Sequence, residues 1–208
     1  AAGQREIALR HLLDLQTPDG GWGWFKGMYP SQELTLYILK GMSQLTELNA
    51  VEYDQQEKEM QIKALKFVDK QIQSDYESLQ KIKKNEISPL EIEYLFVRSH
   101  YRDIPELSSA REAIRYYTNL AEKQWNKQSI HRKGEIAWLM WRNGKKEIAG
   151  KIITWLRKTA STSPDKGMYW ANNRRGAGTF TSPIDTHCLL MAFFNEVSPD
   201  KQETDRMK

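Results

Sequence analysis

The stretch Leu12-Leu13-Asp14-Leu15-Gln16-Thr17-Pro18-Asp19-Gly20-Gly21-Trp22-Gly23-Trp24 decides the reading of this chain. It opens as the end of an apolar helix, because Ile7, Leu9, Leu12, Leu13 and Leu15 recur at helical spacing over 4–16. Thr17-Pro18-Asp19-Gly20-Gly21 then stops the helix. Glycine allows positive φ and close backbone approach, and Asp19 can accept turn N–H bonds. The indole of Trp22 can then fold back onto the helix just ended. The stretch reads as a clamp for a helical hairpin, with an aromatic ligand platform as the alternative. Ser31, after Pro30, is a candidate N-cap for the next helix over 31–47, and Thr35 lies one turn inside it.

Outward from this turn, helical periods cover most of the chain. They place helices over 55–83, 88–100, 106–126, 129–142, 145–160 and 182–196. Ser88-Pro89 with Glu91 has the spacing of a capping box, and Asn143-Gly144 that of a helix stop. No segment of useful length alternates apolar and polar residues as a strand does, so about eight helices and essentially no sheet are expected. The predicted core is the inward-facing Leu, Ile and Met, with Trp22, Trp24, Trp138, Trp141, Trp155 and Trp170 packed between layers. A degenerate repeat is visible. Gly167-Met168-Tyr169-Trp170, a glycine-rich loop and then Ser182-x-x-x-Thr186 echo the glycine–indole turn and the Ser31-x-x-x-Thr35 that follows it.

Of 208 residues, 39% are hydrophobic and 28% charged, with seven Trp, nine Tyr and six Phe. That aromatic load argues against disorder. The balance of 31 basic against 27 acidic residues, +4, is too mild to point to nucleic acid. Lys81, Lys83 and Lys84, with Arg174 and Arg175, read as solvated helix ends and a loop. No apolar run is long enough to span a bilayer, so no direct membrane insertion is expected. No signal peptide is visible, and the start at Ala1-Ala2-Gly3 without Met suggests a piece of a larger protein.

Cys188, the single cysteine, rules out an internal disulfide and reads as apolar packing. Asp185, His187 and Cys188 are metal-ligand types, yet adjacent helical positions diverge by about 100° and cannot all face one ion. His11, His100 and His131 lack paired spacing and read as surface or capping residues. No metal and no cofactor is therefore expected. Asp19, Glu33 and Asp185 could form the carboxylate pair of an α/α-barrel glycosidase. They also stand where capping and the helix dipole favour acids. Noncatalytic glycan binding by the aromatic loops is a further alternative.

The string Gln16-x-x-Asp19-Gly20-Gly21-Trp22-Gly23 is similar to the Gln/Trp repeat motif of α/α-toroid proteins, among them terpene cyclases and prenyltransferases. The longer run, Leu15 to Trp24 and then Ser31-x-x-Leu34-Thr35-x-Tyr37-Ile38-Leu39-x-Gly41, resembles the thioester-containing domain of bacterial alpha-2-macroglobulin-like proteins. Tyr169-Trp170 followed by Ser182-x-x-x-Thr186 resembles that domain's closing hairpin. The middle, about 50–160, matches only as generic helical hairpins.

The resemblance implies an all-α toroid of antiparallel hairpins, complete or partial. It implies a parent protein of the periplasm or cell exterior that traps proteases when they cut a bait region. In that family an internal Cys–Gln thioester, carried by Cys-Gly-Glu-Gln, can capture the protease. This chain lacks that motif, and Cys188 is followed by Leu189-Leu190-Met191. No catalytic residue carries over, and the expected role is noncatalytic. The expected partners are neighbouring domains of the same polypeptide and a target protease.

Overall fold

In the computed structural model, residues 2–82, 85–173, 181–197 and 201–207 are described. The chain is mostly helical. The helices are α1 (Ala2–Leu15), α2 (Gln32–Glu47), α3 (Gln55–Ile82), α4 (Pro89–Arg98), α5 (Arg111–Gln124), α6 (Ile130–Arg142), α7 (Lys146–Thr159), α8 (Pro183–Val197) and α9 (Lys201–Arg206). Short 3-10 turns, Ser108–Ala110 and Trp125–Lys127, flank α5. Among the described residues one small two-stranded sheet accompanies the helices. Strands β1 (Ser161–Ser163) and β2 (Gly167–Tyr169) pair antiparallel, Thr162 opposite Met168. At three residues each they are too short to carry a legible alternation.

Caps set the helix starts. Ser31 is extended (φ -98°, ψ 129°) and its hydroxyl accepts from Leu34 N–H at 3.3 Å. Before α3, Asp54 Oδ1 accepts from Glu57 N–H while Glu57 Oε2 accepts from Asp54 N–H, a reciprocal box. Ser88 and Glu91 form the predicted one, Ser88 N–H donating to Glu91 Oε2 at 2.6 Å. Gly144 (φ 75°) ends α6, with Lys145 N–H reaching Met140 O at 2.9 Å across the reversal.

The chain divides into two compact units, one of residues 1–85 and 93–118, the other of 86–92 and 119–208. In the first, α3 packs against α1 and α2. Leu36, Leu39, Leu65, Val68 and Ile72 are fully buried there. Asp69 is buried on α3. It accepts from Tyr94 Oη at 2.7 Å and Leu107 N–H at 2.9 Å, and pairs with Arg98 Nε at 3.2 Å. Burial pushes its carboxyl above the usual range, against the pull of Arg98 and the two hydrogen bonds.

In the second unit α6 is central, packed by α7 and α8. Every residue from His131 to Met140 is buried, polar ones included. Trp138 and Trp170 join this core. Trp141 and Trp155 are half-buried and Trp24 is exposed, so of the six indoles expected in the core only Trp22, Trp138 and Trp170 are buried.

Asp69 generates a prediction. Asp69→Ala strands the largely covered Arg98 side chain and should cost about 3–5 kcal/mol of unfolding free energy in urea titration. Asp69→Asn also leaves Arg98 without its counter-charge but keeps an acceptor for Tyr94 and the Leu107 amide, so it should cost less than Asp69→Ala.

Candidate functional site

The two glycine–indole turns named from the sequence each hold a buried indole. In the first, Trp22 is 1% exposed. Its Nε1–H donates to Leu12 O at 2.8 Å. Leu12 lies three residues before the end of α1, and its carbonyl also accepts from Gln16 N–H at 3.0 Å, so the indole is a second donor to it. Trp22 N–H donates to Thr35 Oγ1 at 3.0 Å, and Trp22 O accepts from Ser31 N–H at 2.8 Å. Thr35 is buried, and its hydroxyl donates to Ser31 O at 2.7 Å. One tryptophan thus ties the end of α1 to the start of α2.

Gln16 fastens the turn to a third helix. Its Nε2 donates to Gly20 O and to Met60 O of α3, both at 2.8 Å. Gly20 has φ 100°, and a Cβ there would collide with the Lys63 carbonyl. A Cβ on Gly21 would lie 2.7 Å from Pro30 and 2.8 Å from the Phe67 ring, and one on Gly23 would lie 2.9 Å from the carbonyls of Met28 and Tyr29. Asp19 is exposed and makes no hydrogen bond to a described residue. Thr17 makes the turn contacts instead, its N–H and hydroxyl donating to Gly21 O at 2.9 and 3.0 Å. Trp24 is 47% exposed.

The second turn repeats the central bond. Trp170 is 4% exposed, and its Nε1–H donates to Leu156 O at 2.9 Å. Leu156 also lies three residues before the end of its helix, α7. The ring stacks on Phe194 at 6.3 Å between centroids and 3° between planes. Ser182 caps α8 reciprocally with Asp185: Ser182 N–H donates to Asp185 Oδ2 at 2.8 Å, and Asp185 N–H to Ser182 Oγ at 3.1 Å. Thr186 is buried and its hydroxyl donates to Ser182 O at 3.1 Å, as Thr35 does to Ser31 O. Tyr169, half-buried, ends β2. Much of the loop between Trp170 and Ser182, with Arg174 and Arg175, lies outside the described residues, as do Lys83 and Lys84; Lys81 is exposed on α3.

A buried polar cluster was not legible in the sequence. On α6, His131 Nε2 meets Glu135 Oε1 at 3.1 Å and Arg132 Nη1 donates to Glu135 Oε2 at 2.6 Å. His131 Nδ1 meets Thr186 Oγ1 of α8 at 3.1 Å. Hydroxyl, imidazole and carboxylate stand in the order of a hydrolytic triad. Yet Thr186 is buried and back-bonded to its own helix, and Glu135 is held by Arg132. The cluster joins α6 to α8. Lys133 is also buried, donating to Gln128 O with its ammonium 4.6 Å from the Trp155 ring, and burial lowers its pKa.

Three histidine and cysteine expectations change. His131 is core, not surface. His100 has a buried ring whose Nδ1 meets Glu47 Oε1 at 2.7 Å. Cys188 is exposed rather than packed. His187, beside it, directs Nε2 to Met207 O at 2.5 Å. The helical 3.6 period fixes which residues share a face, but not which face lies inward when both sides are mixed.

No protein-family model matches the chain, and no curated protein matches it.

Two substitutions test the equivalence of the clamps. Trp22→Phe and Trp170→Phe each remove one indole N–H and part of a packed ring. Each should cost about 1–3 kcal/mol in chemical denaturation. Gly20→Ala should cost as much or more, because it combines positive φ with a backbone collision.

Proposed function

We propose that this chain is a noncatalytic helical domain of a bacterial alpha-2-macroglobulin-like protein and contributes there to protease trapping. In this reading the hairpins belong to an α/α toroid or an arc of one, and the parent protein works in the periplasm or at the cell exterior. The observation that carries the proposal is the repeated clamp. Trp22 and Trp170 spend their only polar atom on a helix carbonyl, Leu12 O and Leu156 O, and bury their rings. Indoles engaged in this way serve to position helices. Gln16, Gly20 and Gly21, the other members of the motif, are likewise consumed by the turn itself. Asp185, one of the carboxylates considered for glycosidase chemistry, is engaged by the Ser182 amide.

The role is mechanical. The helical domain docks against neighbouring domains of the same polypeptide and is repositioned when a protease cuts elsewhere in the parent. Trapping by enclosure obstructs large substrates and leaves small ones free to diffuse in. The full-length parent, incubated with an endopeptidase, should slow cleavage of a large protein substrate severalfold while hydrolysis of a short peptide stays near the uninhibited rate. Equal rates on both substrates with and without the parent, across proteases of different specificity, would remove the reading.

A further inference from the structure

The loop between Trp22 and Ser31 carries more apolar surface than the clamp requires. Phe25 is 76% exposed and Tyr29 94%, while Trp24 and Met28 are about half exposed. Such a cluster costs solubility and usually marks a contact surface. The loop is also well formed. Phe25-Lys26-Gly27-Met28 is a tight turn, with Met28 N–H on Phe25 O at 3.1 Å and Gly27 at φ 86°. The returning strand is pressed against Gly23, and Ser31 N–H closes the base on Trp22 O. Much of the ordering that binding would require is already present in the fold.

Charge gives the occupant. Lys26 stands at the tip of the turn and is exposed. The base of the loop is wedged onto α3 at Lys63, through Gly20, and at Phe67, through Gly21. From that point Lys63, Lys66 and Lys70 run along α3 at i, i+3 and i+7, all exposed. None of these four lysines forms an ion pair with a described residue. Tryptophan and tyrosine suit the boundary between headgroups and acyl chains, where one end of the ring is wet and the other dry. Lysine suits its anionic side, reaching out along its aliphatic stem.

We propose that this face docks on an anionic phospholipid surface, with Phe25, Met28 and the neighbouring rings entering the headgroup boundary and Lys26, Lys63, Lys66 and Lys70 meeting lipid phosphates. The absence of a bilayer-spanning helix among the described residues does not bear on such shallow insertion. The proposal thereby revises the sequence expectation of no direct membrane insertion. It stands independently of the protease-trapping role.

The test is flotation of the 208-residue chain with vesicles of phosphatidylcholine alone and with vesicles of phosphatidylcholine and phosphatidylglycerol in equal parts. Binding is expected only to the mixed vesicles and should be lost at about 1 M salt. The triple change Lys63→Gln, Lys66→Gln and Lys70→Gln should weaken partitioning by about a hundredfold, about fivefold per charge. The triple Lys→Arg variant should retain it. Phe25→Ser with Tyr29→Ser should weaken it by about tenfold or more. All of these side chains are exposed, so circular dichroism should be unchanged. Failure to float with the mixed vesicles, or undiminished flotation of the Gln or Ser variants, would overturn the proposal. Capture by polyglutamate beads without flotation would overturn it in favour of an acidic protein partner.

Discussion

An indole N–H donated to the carbonyl three residues from a helix end is the interaction on which the clamped hairpins rest. Helix C-termini expose carbonyls whose satisfaction decides how the chain leaves. Here Trp22 and Trp170 each add a second donor to a last-turn carbonyl that Gln16 N–H or Ala160 N–H already reaches, and at the same time bury a large ring. The exit path, the turn and the direction of the next helix are thereby fixed together. Glycine follows from this demand. A side chain at Gly20 or Gly21 would occupy the space taken by α3 or Pro30. The Ser-x-x-x-Thr that opens each following helix completes the device, because the serine caps and the threonine back-bonds to it.

The two versions differ in instructive ways. In the first, Thr35 also accepts the Trp22 amide, so clamp and helix start share one hydroxyl. In the second, Thr186 meets His131 instead and draws α6 into the arrangement. The second unit builds its core around a helix buried on all sides, and it meets the polarity of that helix with an internal His131–Glu135–Arg132 network. A buried network of this kind is costly to disrupt once one member is removed. Where the first unit uses Asp69 to gather Tyr94, Arg98 and Leu107, the second uses Glu135. Each carboxylate draws together polar groups from separate parts of the chain or separate turns of a helix.

Much of this was legible in the residues. Helix positions followed from periodicity and caps because those signals are local; Ser31, Ser88-Glu91 and Asn143-Gly144 act within four residues of themselves. The fold-back of Trp22 was likewise readable, since only glycine on both sides permits it. What was hidden depended on distant neighbours. His131 looked like a surface histidine because its partners are on its own helix and on α8, 55 residues away. Trp24 looked like core because it sits beside Trp22, yet the turn directs it outward. Ile7, Leu15, Tyr37, Leu45 and Ile184 kept helical spacing and are nevertheless exposed, because period alone cannot say whether a face is covered.

Hydrogen exchange of the indole Nε1–H groups, followed by NMR on the intact chain, addresses the clamp directly. The account predicts that Trp22 and Trp170 are protected to a level close to that of global unfolding, orders of magnitude slower than a solvent-exposed indole. If the indole protons of Trp22 and Trp170 exchanged as readily as a solvent-exposed indole, the helix ends would be held by something other than these two bonds.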